Sequence, residues 1–258
     1  MKTKITALLL VLFLFLSCQE KTKKSKTEKA EKITAVNDPD LGETLKFELY
    51  SDSSYIFTIT SKFSNPEKTE KFNGACYVKN DTLYFSPQRF KFNGSGKAVI
   101  KNNFIEFIDP DFPLRIEIKK NLFQTKSKLD FKKYSDYAVF TFDPKFYGIY
   151  FKRNSNKIKP HDLNQEELIE VDRIVKKCFD ENSAKLRKIG TYVKQCIVII
   201  NEKQEKEILV NCFCKSPHTE KSFKYSLIGQ SDGGNCNIRL RINLTKHKYS
   251  DLNIAGQA

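Results

Sequence analysis

Short runs of alternating apolar and polar residues fill the chain from 44 to 118, and they limit the fold more than any other feature. Successive side chains of a strand point to opposite faces, so alternation predicts strands with one buried face. The first runs centre on Phe47 and Phe57, and turn pairs such as Asn80-Asp81 and Asn102-Asn103 separate later ones. We expect an antiparallel meander that forms a barrel or a sandwich.

One strong helical pattern follows, from Asn164 to Gly190. Asn164 can cap the first turn, and Glu167 stands three residues later as the partner of a capping box. Apolar residues then recur at steps of three and four as far as Ile189, which predicts one apolar face. We expect Gly190 to end the helix in the left-handed conformation, which makes the helix nearly 40 Å long.

Strand patterns surround this helix. Two aromatic-rich runs before it, separated by Asp143-Pro144, predict a hairpin. The last strong strand after it alternates Ile238, Leu240 and Ile242 with polar residues, which predicts one buried and one wet face. The expected strands are 138–142, 146–151, 192–200, 206–214, 223–228 and 236–244, with a weaker run at 252–254. The predicted class is α+β: a β-meander, then a long helix packed on an antiparallel sheet.

The same patterns divide the chain into segments. Residues 18–43 are polar and lysine-rich at their start, so we expect a flexible stalk. Residues 119–137 are again lysine-rich and are expected to link two domains. The predicted organisation is a signal at 1–17, the stalk, a β-meander at 44–118, the linker, and a helix-on-sheet domain at 138–258.

Charge and composition restrict the partners. The formal net charge is +14, from 45 basic and 31 acidic residues. Most of the positive charge is lysine spread along the chain, whereas arginine, which is favoured for bidentate phosphate contacts, is sparse. We therefore expect no nucleic-acid partner. Hydrophobic residues make up 40% of the chain, enough for a buried core.

Cysteines supply the most suggestive candidate site. Cys212 and Cys214 are two apart on a predicted strand and point to the same side, and Cys236 begins the apolar side of another strand. The pair suits a soft-metal or redox site, but its aliphatic neighbours favour inert thiols. Plain core thiols, disulfides and metal or redox chemistry all stay open for five residues: Cys178, Cys196, Cys212, Cys214 and Cys236.

Motifs for catalysis or cofactor binding are missing from the sequence. The histidines His161, His218 and His247 stand in separate loops, outside any recognisable triad or metal motif. The loop 231–235 contains Asp-Gly-Gly, which suits a hairpin turn better than an anion-binding loop. We predict no catalytic residues, no metal and no cofactor, and hence not an enzyme.

The N-terminus reads as an export signal. Lys2 and Lys4 precede an apolar run from Ile5 to Leu16, and Ser17 and Cys18 follow. The run is shorter than the roughly 20 residues that cross a bilayer. Residues 14–18, Leu-Phe-Leu-Ser-Cys, resemble the lipobox of bacterial lipoproteins. That resemblance implies a lipid attached to Cys18, a location in the cell envelope at the outer membrane, and a domain that faces the periplasm or the cell surface.

Two weaker resemblances concern the folded part. Residues 72–76, Phe-Asn-Gly-Ala-Cys, followed by Asn-Asp-Thr-Leu-Tyr-Phe at 80–85, are similar to a hairpin of lipocalin-like domains in bacterial lipoproteins, which implies a barrel-like meander and a small ligand. The order of one helix and then a meander is similar to that of cystatin-like folds. A shared fold does not carry function.

These observations predict a membrane-anchored envelope lipoprotein that acts as a binding or accessory module. The membrane, through the lipid anchor, and an envelope protein are the expected partners. One alternative is a periplasmic protein that binds a small ligand or a metal, in the barrel or at Cys212 and Cys214. The other alternative is a hydrolase that acts on envelope material.

Overall fold

A computed structural model describes residues 29–37, 43–62, 65–123, 129–151, 157–229 and 232–256. The first half is a closed barrel of eight antiparallel strands in sequential order, in which the first strand pairs with the eighth. The predicted barrel-like meander is therefore confirmed. Its strands are β1 Glu31–Asn37, β2 Glu43–Tyr50, β3 Ser54–Ser61, β4 Lys68–Lys79, β5 Thr82–Phe85, β6 Lys97–Lys101, β7 Phe104–Ile108 and β8 Arg115–Asn121.

Two tight turns show why the barrel follows the sequence pattern so closely. Asn80 and Asp81 join β4 to β5, and Asn102 and Asn103 join β6 to β7; all four have positive φ. Positive φ at both central residues matches the twist of the adjoining strands, and Asn and Asp tolerate it better than most residues.

The barrel begins earlier than predicted. Strand β1 lies inside the segment 18–43 that was expected to be a flexible stalk, so that prediction is wrong for Glu31–Asn37. Ile33 and Ala35 are fully buried while their neighbours stay half-buried. Few apolar side chains are needed to hold this strand in the barrel, because β1 pairs with both β2 and β8.

The second half is a six-stranded sheet with helices. Strands β10 to β14 are neighbours in sequential order, and β9 runs parallel to β11. The sheet is thus mixed, and the prediction of a purely antiparallel sheet is wrong. Its elements are β9 Tyr137–Thr141, α1 Pro144–Phe151, β10 Lys159–Pro160, α2 Gln165–Glu181, β11 Tyr192–Ile200, β12 Lys206–Cys214, α3 Pro217–Ser222, β13 Asn237–Asn243 and β14 Lys248–Ile254.

Helix α2 has the predicted start and an earlier end. The capping box of Asn164 and Glu167 is present. The helix stops at Glu181, where the Asn182 side chain donates to the carbonyl of Cys178 at 2.8 Å, so Gly190 is not its cap. An amide that bonds the backbone locally competes with helix continuation. The prediction of a helix nearly 40 Å long is therefore wrong. The buried residues of α2 belong to the same core as one face of β11 to β13.

Two predicted strands are not strands. Residues 146–151 lie in helix α1, where Pro144 occupies the first turn and the carbonyl of Asp143 accepts from the amide of Tyr147 at 2.8 Å. Proline at a helix start is favoured because its missing N–H is not needed there. Residues 223–228 follow the short helix α3, which Ser216 and Thr219 cap reciprocally.

The barrel and the sheet belong to one compact unit, Glu31–Ala258. The predicted linker 119–137 contributes to both parts: its first residues complete β8, and Leu129 and Tyr134 are buried in the core under the sheet. Strands β11 and β12 are buried along almost their whole length, so both faces of the sheet centre are covered. Only β13 shows the predicted alternation of buried and half-buried residues.

Candidate functional site

Aromatic side chains fill the interior of the barrel. The segment between β5 and β6 folds inward and places Phe90, which is fully buried, at the centre. Its ring centroid lies 4.5 Å from that of Phe107 and 5.0 Å from that of Phe85. Tyr55 and Phe57 complete the cluster. The centre of the barrel, where lipocalins hold a ligand, is therefore occupied by the protein's own rings.

A buried ion pair lies where the barrel meets the sheet. Glu106 on β7 and Arg115 on β8 are direct cross-strand neighbours, and their side chains are 7% and 4% exposed. Oε1 of Glu106 lies 3.0 Å from Nε of Arg115, and Oε2 accepts from the backbone amide of Thr141 on β9 at 2.9 Å. One carboxylate thus joins a barrel cation to a sheet amide.

Arg115 is held but incompletely satisfied. Its guanidinium carbon lies 3.9 Å from the ring centroid of Phe104 and 4.5 Å from that of Phe140, so two rings enclose the cation. Nη1 is buried and has no hydrogen-bond partner within the described residues. Burial lowers the pKa of Arg115, and the Glu106 carboxylate opposes that shift.

A small cavity of about 40 Å³ adjoins this arginine. One water needs about 10–15 Å³ by the same measure, so the cavity has room for about three waters. Thr141, Tyr147, Tyr225 and Ser226 contribute to its wall. The arrangement can hold a small group that offers a hydrogen-bond acceptor to Arg115.

A second, wider cleft of about 310 Å³ lies on the same junction and shares Thr141. Lys101 is almost buried there and pairs with Asp162, which is exposed. Its Nζ also lies 3.5 Å from Oγ1 of Thr141. The junction therefore carries two enclosed cations, each paired with one carboxylate.

The outer surface of the barrel around Tyr77 and Tyr84 is exposed to solvent, and we call it the open wall. Tyr77 on β4 is 51% exposed, and its ring stacks on that of Tyr84 on β5 with centroids 5.1 Å apart. Strand β4 lies four strands from β8 around the closed barrel, so Tyr77 lies on the side of the barrel away from Arg115, whereas Thr82 on β5 lines the cleft at Lys101. An exposed aromatic pair is a candidate contact surface because aromatic side chains are enriched in interfaces.

The structure separates the five candidate cysteines into two kinds. Cys214 and Cys236 form a disulfide with their Cα atoms 4.7 Å apart, and it joins the end of β12 to the start of β13. Cys178, Cys196 and Cys212 are buried free thiols in one apolar core.

Burial raises the thiol pKa to about 11 for Cys178 and to about 12 for Cys196, and it raises that of Cys212 as well. A protonated, buried thiol is a poor nucleophile and a poor metal ligand. The structure thus places Cys212 and Cys214 on one strand, where Cys214 is in a disulfide and Cys212 is a free thiol.

The histidines stay apart. His247 lies 3.1 Å from the carboxylate of Glu170, and His161 contacts the carbonyl of Asp162 at 3.0 Å. Within the described ranges, no group of three or more His, Cys, Asp or Glu side chains could hold a metal ion. In the same part of the chain, no helix is long and apolar enough to cross a membrane.

Sequence reasoning did not single out Arg115, Glu106 or Lys101. One signal was available in β7, where the outward positions are Phe104, Glu106 and Ile108. Apolar residues on both sides of a strand indicate that both faces are covered. A glutamate in such a strand therefore needs a buried partner.

The expected lipid-attachment residue, Cys18, lies outside the described residues. Comparison with known proteins adds no assignment to the fold and the surfaces described above: no family model, no curated protein and no solved structure matches this chain.

Proposed function

We propose that this chain is a membrane-anchored envelope lipoprotein that acts as a binding or accessory module and not as a catalyst. The N-terminal residues 2–18 support the anchor, because they combine a charged start, a short apolar run and a cysteine after a small residue. An acyl chain on Cys18 would hold the domain at the outer membrane, where it faces the periplasm or the cell surface.

One observation carries the binding role: the stacked pair Tyr77 and Tyr84 on the open wall of the barrel. A tyrosine with half its surface in water gains little for the stability of the fold. It offers a rigid aromatic surface with a hydroxyl at its tip, which suits contact with a partner. The filled barrel interior directs binding to the outside of the molecule.

Two measurements test this proposal. Cells that express the chain are fed radiolabelled palmitate, and we expect label on the protein and none on its Cys18→Ser variant. The protein is then extracted gently and analysed by native mass spectrometry. A second species at fixed stoichiometry, lost in Tyr77→Ala with Tyr84→Ala, supports the accessory role. An unlabelled chain that migrates alone would overturn the proposal.

A second candidate function is the binding of a small ligand at the barrel–sheet junction. The unpartnered Nη1 of Arg115 beside a cavity favours it. The ligand would present a hydrogen-bond acceptor, such as a carbonyl or a carboxylate oxygen. In the same native spectra, this function predicts a bound small molecule that is absent from Arg115→Gln and retained in the exposed control Arg173→Gln.

A further inference from the structure

The open barrel wall has an ordered arrangement of side chains. Strand register places Lys97, Tyr84 and Tyr77 in one row across β6, β5 and β4. The next row contains Val99, Thr82 and Lys79. Both rows face outward, because the alternate positions of these strands fill the barrel core. Thr82 and Val99 of the second row also line the cleft at Lys101. The aromatic pair is therefore flanked by lysines on both sides.

The charge of this wall has one sign. The outward positions of β4 and β5 and the first two of β6 are Thr69, Lys71, Asn73, Ala75, Tyr77, Lys79, Thr82, Tyr84, Lys97 and Val99, with no carboxylate. Lys71, Lys79 and Lys97 are exposed, and none forms an ion pair with another described residue. Three unneutralised cations in a chain of net charge +14 favour an anionic partner.

The shape of the wall favours an extended partner. The outside of a closed barrel is convex, so it cannot enclose a small molecule. Tyrosines and lysines together suit a lipid surface, because tyrosine rings lie at the level of the headgroups and lysines extend to the phosphates. This combination distinguishes a bilayer from a purely ionic partner.

The length of the chain before the barrel supports the same occupant. Twelve residues separate Cys18 from Glu31, where β1 begins. Fully extended, they span at most about 40 Å. If Cys18 is acylated, as the proposed function holds, the start of β1 stays within that reach of a bilayer, and tethering raises the effective concentration of the barrel surface there.

We propose that the outer wall of β4, β5 and β6 docks on an anionic lipid surface, with Tyr77 and Tyr84 in the headgroup region and Lys71, Lys79 and Lys97 against the phosphates. The inference rests on the proposed lipid anchor for its biological setting. Its test does not depend on that anchor, since the wall itself is what binds.

The experiment uses residues 18–258 with Cys18→Ser, so that no acyl chain is present, and measures co-flotation with vesicles. We expect binding to vesicles of phosphatidylglycerol and phosphatidylcholine, weak binding to phosphatidylcholine alone, and loss of binding as salt is raised. Lys79→Gln with Lys97→Gln is expected to lower partitioning about tenfold or more. Tyr77→Ala with Tyr84→Ala is expected to lower it even at low salt.

Matched controls separate the wall from net charge. Lys185→Gln with Lys248→Gln removes the same charge from exposed positions outside the barrel and should leave most of the binding. Phe112→Ala removes another exposed aromatic side chain. Circular dichroism confirms that each variant is folded.

Three results would overturn the inference: no binding to the anionic vesicles, equal losses in wall and control variants, or binding to soluble acidic glycan fragments in place of vesicles. Absence of palmitate on Cys18 in cells would refute the anchor and leave the vesicle result unchanged.

Discussion

At the scale of single residues, Gly74 shows how closely the barrel is packed. A Cβ at this position would lie 2.5 Å from Oη of Tyr55, whose ring is 2% exposed and stacks on Phe47. The ring cannot retreat, so we expect Gly74→Ala to lower the free energy of unfolding by about 1–3 kcal/mol in urea denaturation. Gly190→Ala is the control, because its Cβ meets nothing within 4 Å. Equal effects would contradict this account.

The buried thiols give a second prediction at this scale. The four free cysteines of the described chain are all buried, and burial raises the pKa of Cys76 and Cys196 to about 12. With Cys18 replaced by serine, a thiol reagent at pH 8 should label none of the four in the folded protein and all four in denaturant. A fast-reacting thiol in the folded protein would revive the redox interpretation of Cys212.

The cysteines also show what a sequence can and cannot predict about single residues. Alternation placed Cys212 and Cys214 on one side of a strand, because the strand period is two. The disulfide partner of Cys214 is Cys236, which lies 22 residues later in the sequence, so the pairing depends on where the chain returns to the sheet at β13. Local patterns carry no information on that position, so pairing stayed open.

At the scale of elements, Glu170 ties helix α2 to the turn between β13 and β14. Two hydrogen bonds of 2.7 Å from Arg173, and the nearby His247, lower the pKa of Glu170 from 4.5 to about 2. A lowered pKa stabilises the fold above pH 4.5, and that stabilisation is lost as the pH falls toward 2. Because solvent screens the site, Glu170→Gln should cost less than about 1 kcal/mol at pH 7.

The expected pH profile distinguishes this pair from a general effect of mutation. The difference in unfolding free energy between the parent and Glu170→Gln should shrink steadily below pH 4.5, as measured by urea denaturation at each pH. The exposed Glu67→Gln serves as the control and should show little difference at any pH. A difference that stays constant down to pH 2 would mean that the ion pair does not stabilise the fold.

Element boundaries with a strong local signal were predicted correctly, whereas those with a weak local signal were not. The capping box at Asn164 fixed the start of α2, since both of its hydrogen bonds are local. The end of α2 depended on Asn182, whose side chain outcompeted a continuing apolar pattern. Residues 146–151 were read as a strand because aromatic residues favour strands. The Asp143-Pro144 pair before them is instead a start signal for a helix, and the residues form helix α1.

At the scale of the whole molecule, the barrel and the sheet form one unit that the sequence pattern divided into two. The contacts that join them are long-range: Glu106 to Thr141, Lys101 to Asp162, and Tyr225 to Glu117 at 2.9 Å. Each partner stands in a separate element, so no periodicity relates them. Charged residues in covered strands were the only hint, and they do not identify a partner.

The ion pair of Glu106 and Arg115 is expected to couple the two halves. Arg115→Met leaves a buried carboxylate without its cation, so we expect a loss of about 3–5 kcal/mol in the free energy of unfolding. Adding Glu106→Gln should recover part of that loss, because the uncompensated charge is gone. The solvent-accessible pair of Glu170, which is partly exposed, and Arg173, which is exposed, should show coupling below about 1 kcal/mol when treated in the same way. Hydrogen exchange then locates the effect: in Arg115→Met, amides of both β8 and β9 should lose protection together. Additive losses at Glu106 and Arg115, or exchange confined to the barrel, would mean that the two halves are stable independently of this junction.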